Sequence, residues 1–157
     1  MKTTSKISTL IIAIAVTGML AFVGATIAQA QSLVAFNATT NQLTLTSEGV
    51  FEGNGTVNIM GPVTVTIHVV QDFSGYPCDP YTSETTFVGA SGSITISDAA
   101  GWVCPSATRN GFPGTIQGVW NITGGTGQFS GIIGSGSDQG TIAGNGPNVH
   151  WSGIVVY

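Results

Sequence analysis

The segment Val119-Trp120-Asn121-Ile122-Thr123-Gly124-Gly125-Thr126-Gly127-Gln128-Phe129-Ser130-Gly131 decides the fold of this chain. A strand followed by Gly-Gly-Thr-Gly and a further glycine has the outline of a dinucleotide-binding loop. Such a loop needs a helix directly behind it, because the helix N-terminus holds the pyrophosphate. Here Gly131-Ile132-Ile133-Gly134-Ser135-Gly136-Ser137-Asp138-Gln139-Gly140 follows. Each interior glycine costs a helix about 1 kcal/mol relative to alanine, so the segment is a very poor helix. Gly124-Gly125-Thr126-Gly127 therefore reads as a tight structural turn between two β-strands, not as a phosphate cradle.

Working outward, the chain shows period-2 alternation nearly everywhere beyond residue 30. Leu33 to Asn37 opens the series, and Gln42 to Thr46 continues it or pairs with it. In Val50 to Met60, Glu52, Asn54, Thr56 and Asn58 share one face, opposite Phe51, Val57 and Ile59. Gly61-Pro62 breaks the run. Val63 to Val70 then alternates Val63, Val65, Ile67 and Val69 against Thr64, Thr66 and His68. Glu84 to Val88, Ser93 to Ser97, Thr115 to Thr123, Gly127 to Gly136, Gly140 to Ala143 and Val149 to Tyr157 complete the set. No helix is expected after residue 30. About eight short strands at regular spacing point to an all-β sandwich or closed barrel. Closure also removes the edge strands that invite aggregation. The many glycines between Gly111 and Gly153 suit the bends of a barrel.

The Trp-containing strand, the Ile-Thr-Gly-Gly-Thr-Gly-x-Phe turn and the Gly-x-x-Gly-x-Gly that follows resemble the C-terminal half of the allene oxide cyclase and dirigent barrel superfamily, including small prokaryotic members. The likeness covers roughly residues 111–157. It implies an eight-stranded antiparallel closed barrel, often oligomeric in plant members, whose lumen holds a hydrophobic ligand and steers its cyclisation or coupling. The turn is structural in that family. Its catalytic acids have no matching motif here, so the activity does not carry over.

The first 30 residues read as a cleaved secretory signal. Lys2 and Lys6 form a basic n-region, Leu10 to Ala25 an apolar stretch, and Ala28-Gln29-Ala30 a small-x-small cleavage site. A single domain, residues 31–157, remains, secreted or associated with the cell envelope, with no stable membrane insertion once the signal is gone. Its Arg109 faces seven carboxylates, a net charge of −6 with histidine neutral. Nucleic acid and anionic lipid are excluded as electrostatic partners, since both are bound through clustered Lys and Arg. Cys78 and Cys104 are expected to pair in an oxidising compartment. Sequons at Asn37, Asn54 and Asn121 offer N-glycosylation sites.

Two irregular stretches, Gln71 to Ser83 and Asp98 to Gly114, each carry one cysteine. A Cys78–Cys104 bridge would clamp them as a loop cap over one barrel end, where ligands commonly enter. The cap contains Asp72, Phe73, Tyr76, Asp79, Tyr81, Trp102, Arg109 and Phe112. Asp72, Tyr76, Tyr81, Trp102 and Arg109 are the candidate ligand-binding residues, because they combine aromatic faces, hydrogen-bonding tips and charge. The same aromatics would equally form a small core beneath a clamped loop. His68 and His150 fall on outward faces, with Trp151 inward. Glu52 is a solvated outer residue or a lumen acid. No catalytic constellation, cofactor motif or metal-ligand spacing is legible. The leading expectation is a non-enzymatic module for a small apolar or aromatic molecule or a glycan. The rivals are a dirigent- or cyclase-like protein that confines a reactive substrate, and a structural or adhesive envelope protein. A homo-oligomer is compatible with each.

Overall fold

The computed structural model describes residues 32–72, 77–105, 114–143 and 146–157, apart from the side chain of Gln42. The expected signal segment, Tyr76 and Arg109 lie outside them. Eight strands follow in order: β1 (Leu33–Ser47), β2 (Val50–Val57), β3 (Gly61–Gln71), β4 (Asp79–Gly89), β5 (Gly92–Cys104), β6 (Gly114–Gly125), β7 (Ile133–Ala143) and β8 (Gly146–Val156). Each pairs antiparallel with its neighbours in sequence, and β1 pairs with β8 from Leu33↔Val156 to Thr39↔His150, which closes the barrel.

Alternation builds the lumen. Val63, Val65 and Ile67 of β3 are buried, as are Tyr81, Ser83, Thr85 and Phe87 of β4 and Ile94, Ile96 and Asp98 of β5. Glu52, His68 and the sequon residues Asn37, Asn54 and Asn121 are exposed on the outer wall. Trp151 is buried and its neighbour His150 is not, as the sequence pattern requires.

Gln42–Thr46 continues the strand of Leu33–Asn37, one of the two expected arrangements, across a register shift between Asn41 and Thr44, while other boundaries differ from the sequence reading. The shift moves the inward face from Phe36, Ala38 and Thr40 to Leu43. The stretch from Asp98 is not irregular at first, because β5 runs on to Cys104 around a bulge between Asp98 and Ala100. Likewise β4 starts at Asp79, within the stretch expected to be a loop. The expected strand from Gly127 is instead a single 3-10 turn, Gly127–Phe129, and β7 begins only at Ile133.

That turn seals one end of the barrel. The Thr126 and Gln128 amides donate to the Ser93 and Ser91 carbonyls at 2.9 and 3.0 Å, so the turn sits on the β4–β5 hairpin. Phe129, fully buried, points into the lumen beneath it. Gly127 has φ +62°, whereas the constraint at Gly125 is close approach: a Cβ there would meet the Phe129 carbonyl oxygen at 2.2 Å. Above the plug, Phe36 packs edge-to-face on Trp120 and Phe87, with centroids 5.1 and 6.1 Å apart, and Phe87 packs on Trp151 at 5.2 Å. Such contacts add about 0.5–1.5 kcal/mol each to the burial itself.

The other end carries the β1–β2 hairpin and the β3–β4, β5–β6 and β7–β8 connections. Here the Cys78–Cys104 disulfide joins the start of β4 to the end of β5.

Candidate functional site

Among the described residues, the lumen is packed at the plugged end and unfilled at the disulfide end, where a cavity of about 70 Å³ remains. Its walls are mainly apolar: Phe51, Ile67, Val69, Val103, Ile116, Ile142, Pro147 and Val149, with Trp151 toward the floor. Four polar side chains interrupt this wall deep in the barrel, namely Tyr81, Ser83, Asp98 and Asp138. Asp98 is 2% exposed and Asp138 4%. Gln71 lies at the rim, where its amide donates to Asp79 Oδ2 at 3.3 Å.

Strand register explains how these groups meet. Tyr81, Gly101, Gly118 and Asp138 are lateral neighbours on β4, β5, β6 and β7. The two glycines leave a trough across the inner wall, and the tyrosine ring lies in it. A Cβ on Gly101 would stand 2.3 Å from the ring, and one on Gly118 would stand 3.0 Å from the hydroxyl and 2.5 Å from Asp138 Oδ1. The Tyr81 hydroxyl thus crosses two strands to donate to Asp138 Oδ2 at 2.8 Å. One layer deeper, Ser83 faces Asp98 across β4 and β5, and its hydroxyl donates to Asp98 Oδ2.

The two carboxyls are close enough for each to affect the other's protonation. Burial is the main influence on both: an ionised carboxylate loses its hydration in the lumen, and two adjacent negative charges would repel. Asp98 is pushed up to about 7, first by burial and then, against the opposing Ser83 hydrogen bond, by the neighbouring Asp138. Asp138 is also raised by burial, with the Tyr81 hydroxyl holding it back. The Tyr81 phenol is raised by burial and by the nearby carboxylates, so it remains a donor.

Neither Asp98 Oδ1 nor Asp138 Oδ1 receives an N–H or hydroxyl donor from the described residues. The Trp120 and Trp151 indole nitrogens and the Thr85 hydroxyl are also buried without a partner. All five atoms belong to inward-facing residues. Buried polar groups are ordinarily satisfied by protein or water, so the two carboxyl oxygens and the Trp151 nitrogen, whose residues line the cavity, mark a place for a hydrogen-bonding guest or ordered water.

Of the residues singled out from sequence, Tyr81 is in the site. Trp102 is not: it is 49% exposed on the outer wall, while the next residue, Val103, lines the cavity. Asp72 lies at the mouth, its amide donating to the Pro80 carbonyl at 2.9 Å. Ser83, Asp98 and Asp138 were missed as site residues, although the pattern held a signal for the two acids. Asp98 continues the inward series Ile94, Ile96. Asp138 stands among Gly134, Gly136 and Gly140 on the inward face of β7, so an acid occupies a face otherwise cleared of side chains.

A closed antiparallel β-barrel with an acidic, partly apolar cup at one end is the class that fold and site define. No family model, no curated protein and no solved structure matches the chain. Among the described residues, no helix is long and apolar enough to cross a membrane.

Proposed function

We propose that the chain is an exported, non-enzymatic barrel that holds a small, largely apolar molecule in its unfilled half. The observation that carries this reading is the apolar cavity ending on a buried carboxyl pair with unpartnered oxygens. Small-molecule sites are characteristically apolar clefts with a few placed polar groups. The apolar walls favour a hydrophobic guest over a glycan. Export is supported by the sequence of residues 1–30 and by the disulfide. Native mass spectrometry of the protein purified from its own host tests the reading. A mass excess that is shed on activation is the expected result. A bare chain, together with no uptake of small apolar compounds, would overturn it.

A second reading is favoured by one specific observation. A carboxyl that titrates near 7 beside a cavity is suited to proton transfer at neutral pH. Under this reading the barrel confines a reactive substrate, in the manner of the cyclase and dirigent proteins it resembles. Turnover of a bound compound that is lost in Asp98→Asn, with binding retained, would select it.

A further inference from the structure

We propose that the ligand of this cup is a small apolar amine, bound as its ammonium form with its nitrogen between Asp98 and Asp138. The inference rests on the binding reading above and names the ligand's chemical class. Each carboxyl already spends Oδ2 on a hydroxyl, Ser83 for Asp98 and Tyr81 for Asp138. Each keeps Oδ1 without an N–H or hydroxyl donor from the described residues. An ammonium has N–H donors for both oxygens and carries the charge that a buried carboxyl pair lacks. Charge-assisted hydrogen bonds of this kind are the strong ones. The apolar walls, Ile116, Ile142 and Val149 among them, then cover the hydrocarbon part of the amine.

The surroundings favour a cation. No lysine or arginine occurs among the described residues. Glu48, Asp72 and Asp79 lie at the same end of the barrel as the lumen pair, so five of the seven carboxylates gather there. A low-dielectric cleft lined by one sign of charge concentrates the opposite ion at its mouth.

The proton balance is defined. In the empty cup Asp98 holds its proton up to about pH 7. When the ammonium donates to both Oδ1 atoms, that proton leaves to solvent and both carboxyls are ionised. No covalent bond is made or broken.

Isothermal titration calorimetry at pH 8 with 2-phenylethylamine, 2-phenylethanol and 3-phenylpropionate tests this. The amine is expected to bind at least tenfold more tightly than the alcohol, and the carboxylate not at all. Near pH 7, amine binding should release protons, read from the difference in heat between phosphate and Tris buffers, and alcohol binding should not. Asp98→Asn combined with Asp138→Asn should erase the amine's advantage over the alcohol. Arg109→Ala should leave the amine affinity within twofold, and a tenfold rise would overturn the proposal by showing that the pair has a counter-ion within the chain. Equal binding of amine and alcohol sinks the amine assignment and leaves the cup reading standing. Failure of all three probes overturns both.

Discussion

The two halves of the lumen are built from the same alternating strands and finished in opposite ways. At the plugged half, Phe36, Phe87, Trp120 and Phe129 interlock and leave every one of their side chains buried. At the disulfide half, the Tyr81 ring fills the Gly101–Gly118 trough, and beside it an unfilled cup remains with two carboxyls in its wall. A protein needs only enough packed core to fold. Here one half of the barrel supplies it, which frees the other half to keep buried polar groups that cost stability. The disulfide lies on the side with less packing and constrains the unfolded chain across a sequence separation of 26.

The most severe way to break this division is at the seal. Gly125→Val places a side chain against the Phe129 carbonyl oxygen and Ile132, and should yield no folded barrel. Soluble yield and far-ultraviolet circular dichroism check it, and a well-folded variant would remove the plug from the account. Truncations should then rank the two halves. Phe129→Ala should cost about 3–5 kcal/mol, whereas Ile116→Ala, in the half-empty wall, should cost about 1 kcal/mol. Urea unfolding gives both values, and equal losses would mean that the halves are packed alike. Cys78→Ala should cost roughly 2–4 kcal/mol. If melting of the wild type is the same with and without reductant, the bridge contributes nothing.

The last effect concerns the acids. Asp98 keeps its proton to about 7 in the fold, while in the unfolded chain it ionises in the ordinary carboxyl range. Between those values the folded state binds more protons, so this group's contribution is greatest at acid pH and is lost as pH rises toward 7. The empty protein should melt about 5 °C lower at pH 8 than at pH 5. Asp98→Asn should flatten that slope and stabilise the protein at pH 8. An unchanged slope would place the proton elsewhere.

Much of the barrel was legible because period-2 alternation is a local property, and a closed sheet repeats it eight times. The Cys78–Cys104 pairing and the inward Trp151 follow from short-range pattern and composition, whereas the turn expected at Gly124–Gly127 falls later, at Gly127–Phe129, with Gly124 and Gly125 still in β6. The cup was less legible. Asp98 was assigned to a loop because hydrophobic alternation stops at Ile96, although the strand does not. Asp138 sits in a run so rich in glycine that its face could not be read from apolar neighbours. The bulges at Asn41–Thr44 and Asp98–Ala100 change which residues point inward, and they arise from pairing with neighbouring strands.

By itself, then, the sequence determined the all-β class, the turn that ends β6, the cysteine pair and the anionic balance, because each depends on residues near one another in the chain or on a simple count. Only the tertiary structure decided that Tyr81 reaches Asp138 across two glycines, that burial raises both Asp98 and Asp138, and that the described residues leave one half of the barrel unfilled. Those outcomes join residues up to 57 positions apart, and strand register, a property of the closed sheet as a whole, brings them together.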